Sequence, residues 1–112
     1  MKIPSKFNVG GVEITVTEKE FLERQSLGNS NFCDGTIYIA NTSYNTEQSK
    51  SSKENTFLHE LVHLVLQAAG RGDLSDNEVF VSSFAGFLCE AIKSFKYETE
   101  DIAEEHKSLT NA

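Results

Sequence analysis

From Val12 to Thr17 the chain alternates. Val12, Ile14 and Val16 are apolar while Glu13, Thr15 and Thr17 are polar, the period-two pattern of a strand with one buried face. Gly10-Gly11, just upstream, predicts a tight hairpin turn that pairs residues 6–9 with this strand. Asp34-Gly35 is a second hairpin signal, followed by Thr36-Ile37-Tyr38-Ile39-Ala40, whose β-branched and aromatic content suits another strand. Residues 18–30 carry two readings: Thr17 with Glu20 caps a short helix ending near Gly28, or the strand continues.

The second half changes period. Residues 41–52 form a polar run of Asn, Thr, Ser, Gln and Lys, composed like a loop leading into a helix. Ser51 and Glu54 have capping-box spacing, which predicts a helix from near Ser52 to Ala69, closed by Gly70. Ser75 and Glu78 repeat that spacing and open a second helix, apolar from Val79 to about Phe95. Residues 98–112 are acidic and sparsely apolar, a flexible tail or frayed helix, leaving 1–97 as a single domain. Arg71-Gly72-Asp73 reads as turn chemistry between the two helices.

On a helical wheel at about 100° per residue, the few polar groups between positions 56 and 67 converge. With His59 at the origin, His63 falls near 40°, Thr56 near 60°, Gln67 near 80° and Glu60 near 100°. Phe57, Leu58, Leu61, Val62, Leu64, Val65 and Leu66 fill the remainder, so the helix reads as buried with one polar stripe. Such a stripe faces a cleft or a bound group, because an unpartnered buried polar atom costs about 1–3 kcal/mol.

His59 and His63, four residues apart, place two imidazoles one turn apart on one face, within reach of a single tetrahedral Zn²⁺. Glu60, swung off that axis, is placed to hydrogen-bond the attacking water and act as general base. A catalytic site needs a third protein ligand. Glu78 is the leading candidate, on the same helical face as Val81, Ala85, Cys89 and Ile92; Asp73, Asp76 and His106 compete with it. Cys89 shares that face but stands three turns from Glu78, about 16 Å along the axis, and reads as core. Neither Cys89 nor Cys33 lies in a helix-start setting that would activate a thiolate, which argues against a Cys-His protease.

Composition narrows the partners. The 112 residues carry a net charge of −7, which disfavours nucleic acid and anionic membrane as ligands. The first residues hold no apolar run of signal-peptide length, so the expected location is the cytoplasm. Two cysteines without CxxC spacing support neither a disulfide scaffold nor a cysteine zinc ribbon, and both are expected reduced.

Thr56-Phe57-Leu58-His59-Glu60-Leu61-Val62-His63, followed by Asn77-Glu78-Val79-Phe80-Val81-Ser82, resembles the helix pair of HExxH zincins. Within them it is similar to small gluzincin-type proteins, including the ImmA/IrrE-like and phage-encoded metallopeptidase-like proteins. The resemblance covers mainly residues 51–95, with weaker support from the 36–40 strand, which it would make the edge strand beside the cleft. It implies an α+β, zincin-like fold with a small antiparallel or mixed sheet packed on two main helices. It implies zinc on His59, His63 and Glu78, with Glu60 as catalytic base of a metallopeptidase acting on a protein or peptide. The alternative is a zinc-stabilised regulatory or interaction module with that fold and little hydrolysis; a third option is a domain that works only with a partner chain. Larger gluzincins often carry an aspartate shortly after the Asn-Glu pair, where Ser82 and Ser83 stand here. Tyr44 is the candidate for stabilising the oxyanion, while Tyr38 and Tyr97 read as packing residues.

Overall fold

The computed structural model describes residues 1–98. Strand β1 (Lys6–Val9) turns through Gly10 and Gly11 into β2 (Val12–Lys19), with Val9 opposite Val12. Both glycines have positive φ, 58° and 78°, as a two-residue hairpin of this hand requires. A Cβ on Gly10 would also lie 2.9 Å from the Ala68 Cβ, so the turn sits directly on the helix that follows the sheet. After β2 the chain makes a single 3₁₀ turn (Glu23–Gln25), then β3 (Gly28–Asn31) and β4 (Thr36–Ala40).

The four strands form a mixed sheet in the order β1-β2-β4-β3, with β2 and β4 parallel and the other two pairings antiparallel. Of the two readings of residues 18–30, the helix is overturned. The strand runs on to Lys19, and a second strand, β3, follows. Gly-Asn-Ser-Asn has little intrinsic strand preference, and what makes it a strand is the open edge of β4, to which it pairs from Gly28↔Ile39 to Asn31↔Thr36. The edge strand on that side is therefore β3, while β4 (Thr36–Ala40) lies inside the sheet. The polar 41–52 segment also contains structure: β5 (Thr42–Ser43) and β6 (Thr46–Glu47) pair around Tyr44 and Asn45, both at positive φ.

Helix α1 (Lys50–Ala68) has sheet residues from β1, β3 and β4 on one side and α3 (Glu78–Lys93) on the other, with the short α2 (Gly72–Ser75) between the two helices in sequence. Contact with both layers accounts for the buried apolar side chains of α1, but the helix is not enclosed as its sequence suggests: Val65 is 45% exposed, and Leu61 and Leu66 are only half-buried. Ile14, Ile37 and Ile39 from the sheet, Leu58 and Leu64 from α1, and Val81 from α3 are fully buried, each contributing about 1.5–3 kcal/mol. Cys89 lies in this core, as its face predicts, while Cys33 is exposed in the β3–β4 turn. Gly70 closes α1 at φ 75°: its N–H reaches Gln67 O and that of Arg71 reaches Leu66 O, the two bonds of a Schellman stop. No helix of the described residues is long and apolar enough to cross a membrane. Of the expected acidic tail at 98–112, positions 99–112 lie outside the described residues.

Neither expected capping box forms. The N-cap of α1 is Ser49, whose hydroxyl accepts from the Ser52 N–H at 3.1 Å, two residues before Ser51. Glu54 is released from that role and is only 3% exposed. Its carboxylate takes the Lys93 ammonium at 2.9 Å and the Met1 ammonium at 3.1 Å, fastening the chain start and the end of α3 to α1. The Lys93 hydrogen bond, and after it that of the N-terminal ammonium, holds Glu54 below its ordinary value of 4.5 against the opposing effect of burial. A carboxylate depressed in the folded state adds stability above its unfolded pKa and loses it as pH falls through the folded one. Glu54→Gln should therefore flatten the loss of stability below about pH 4.5, measured as the urea midpoint against pH; an acid limb identical to the parent's would remove Glu54 from that account.

Candidate metal centre

Three elements bring the polar stripe of α1 to one cleft. His59, Glu60 and His63 come from the middle of α1, where the core side chains Leu58, Val62 and Leu64 fix the rotation of the helix about its axis. Glu78 is the first residue of α3, whose N-cap is Asn77, with its side-chain oxygen accepting from Phe80 N–H at 3.0 Å. That cap directs the first turn of α3, and its positive dipole end, towards the histidines, a favourable place for a carboxylate. The far wall is the edge strand, with Gly28, Asn29 and Ser30 lining the same cleft of about 520 Å³.

The imidazoles of His59 and His63 are 5.0 Å apart between ring centroids and inclined at 66°. Each presents Nε2 to one oxygen of Glu78: His59 to Oε2 at 3.2 Å and His63 to Oε1 at 3.1 Å. One ligand atom from each of the three residues lies within 4.8 Å of the others. A tetrahedral ion with bonds of about 2.0–2.2 Å needs ligand atoms about 3.3–3.6 Å apart, so from a spread of up to 4.8 Å the three side chains would close by up to about an ångström to seat one. Glu78 reaches both imidazoles although its side chain is 66% exposed, and what aims it is its place at the helix start, not an apolar face.

His63 is further held from behind. Its Nδ1 lies 2.9 Å from the Ser75 hydroxyl, and Ser75 is buried at the end of α2. With the proton on Nδ1 donated to Ser75 Oγ, Nε2 keeps its lone pair for an ion, the arrangement by which a metal-bound histidine is oriented. This partner was missed because Ser75 reads as the cap of the helix that Asn77 caps. Its signal was a small hydroxyl in the short turn between α1 and α3. Ser82 and Ser83 are both exposed, so the support for a histidine comes from α2.

The remaining candidates separate cleanly. Asp73 is held by Arg71 through two hydrogen bonds, at 3.0 and 2.9 Å, which lower the pKa of Asp73 and raise that of Arg71. Asp76 lines the cleft but is not part of the ligand group. His106 lies outside the described residues. Tyr44 is 76% exposed in the β5–β6 turn and does not line the cleft; Tyr38 lies beneath the Lys19 ammonium, and Tyr97 packs edge-on against Phe95. The expected oxyanion role of Tyr44 thus has no support from its position, and the uncharged donors at the cleft are Asn29, Ser30, Gln67 and Ser75. Comparison with protein-family models, with curated proteins and with solved structures finds no match to this chain.

Proposed function

We propose that the protein is a zinc-dependent metallopeptidase of the zincin kind, with His59, His63 and Glu78 as metal ligands and Glu60 as general base. The observation that carries this reading is the convergence of those three residues' ligand atoms within 4.8 Å, in the same cleft as Glu60. Two imidazoles and one carboxylate suit zinc and leave a fourth position for water. Zinc, if held there, would supply Lewis acidity that makes a water more acidic and polarises a carbonyl. Glu60, one residue from a ligand and 8% exposed, takes the proton of the attacking water and passes it to the leaving amine. Ser75 keeps His63 in the tautomer that binds. The substrate on this reading is an extended protein or peptide segment laid along β3, whose outer edge is unpaired in the sheet.

One observation favours the second reading, a zinc-stabilised regulatory or interaction module. No tyrosine among the described residues lines the cleft, and its uncharged donors are short amides and hydroxyls. Both readings require the metal, and metal analysis tests that first. Purified protein should carry one zinc per chain, and chelation should lower its thermal midpoint, since an ion bound only by the folded state at 100 times its Kd adds about 2.7 kcal/mol. Absence of stoichiometric zinc, with a midpoint indifferent to chelator and to added zinc, would sink both readings.

A further inference from the structure

We propose that Gly28 is a positioning residue for Glu60: the missing side chain at this one strand position lets β3 close against α1 and hold the carboxylate in place. The inference rests on the peptidase reading for its functional consequence and on packing alone for its structural one.

Glu60 is 8% exposed, and its carboxylate opens into the cleft with neither a hydrogen bond nor an ion pair among the described residues. Its stem is bounded on one side by β3. A Cβ placed on Gly28 would lie 3.2 Å from both Cγ and Oε2 of Glu60, so the bare backbone of β3 is the surface on which that side chain rests. Gly28 also lines both clefts to which His59 and Glu60 belong, one with His63 and Glu78, the other with Asn55, Thr56 and Ser82. A side chain at position 28 would point at Thr56 and Glu60.

The same Cβ would stand 2.5 Å from Thr56 Cγ2, closer than real contacts allow. Thr56 cannot simply turn away. Its Oγ1 donates to Gln48 Oε1 at 2.7 Å in the buried interior, and Gln48 Nε2 donates in turn to Ala40 O at 2.6 Å, the carbonyl that ends β4. Rotating a β-branched side chain would break that chain of bonds and leave buried polar atoms unpaired. What yields is β3, a four-residue edge strand paired on one side only, and with it the wall behind Glu60.

The test is a compensating pair. Gly28→Ala should keep its zinc and lower kcat about 10²-fold, the scale of an ångström-sized misplacement of a catalytic group, with KM little changed. Adding Thr56→Ser removes Cγ2 but keeps the hydroxyl for Gln48, so the Gly28→Ala/Thr56→Ser protein should recover most of the loss; Thr56→Ser alone should match the parent. Crystal structures of the metal-free parent, single and double variants give a reading independent of catalysis, with Glu60 displaced in Gly28→Ala and returned in the double variant. If the parent cleaves no peptide, the peptidase reading fails and the crystal structures still decide the positioning role. A Glu60 carboxylate unmoved in Gly28→Ala overturns it. Should Gly28→Ala alone not fold, the double variant decides, and a Glu60 that is displaced there with Thr56 Cγ2 removed overturns it as well.

Discussion

Glu60→Gln is expected to lower peptide hydrolysis by about 10²–10⁴-fold, the usual contribution of a general base, while zinc content and thermal midpoint stay at parental values. The amide keeps the shape of the carboxylate and the packing against Gly28, but it cannot accept the proton of the attacking water. Glu60 is not among the three convergent ligand residues, so metal binding has no reason to change. The measurement is kcat with zinc stoichiometry determined on the same preparation. Equal turnover by parent and variant, both fully loaded, would remove the peptidase mechanism and favour the zinc-stabilised module. Simultaneous loss of metal and activity would instead place Glu60 in the coordination sphere, contrary to the role proposed.

The parts of this site that lie on one helix were legible because a helix is a local object. Four residues make one turn, so His59 and His63 had to share a face whatever the rest of the chain did. The inner strands β2 and β4 were legible for a similar reason, each carrying its own period or composition. Strand β3 was not. Gly-Asn-Ser-Asn becomes a strand only through its partner β4, and nothing within those four residues encodes that partnership.

The caps failed differently. Serine and glutamate spaced three apart occur at Ser51 and Glu54 and again at Ser75 and Glu78, yet the side chains that cap, Ser49 and Asn77, are set by where the chain leaves the preceding loop. In both places the glutamate is committed elsewhere, Glu54 to two ammonium groups and Glu78 to the histidines. Ser75 likewise turns from an expected cap into the hydrogen-bond partner of His63. Contacts distant in sequence decided all three, and of these the sequence singled out only Glu78 as a partner for the histidines.

The choice of third ligand is where that distinction has its largest measurable consequence. Glu78→Ala is expected to weaken zinc binding by more than the roughly 10- to 100-fold typical of losing a mere orienting partner, because one of three ligands is gone. Asp73→Ala should stay near the parent, since Arg71 already takes both oxygens of Asp73. Asp76→Ala should also stay near it, as Asp76 borders the cleft without joining the ligand group. Competition with a chromophoric chelator reads all three affinities on one scale. The folding cost of the substitution is small, because Asn77 supplies the cap of α3 and the Glu78 side chain is 66% exposed, so lost affinity would not reflect a disrupted helix. If Asp76→Ala lost the metal and Glu78→Ala kept it, the ligand would be Asp76 at the end of α2, and the contacts of Glu78 with the two imidazoles would be an ion pair in place of a coordination geometry.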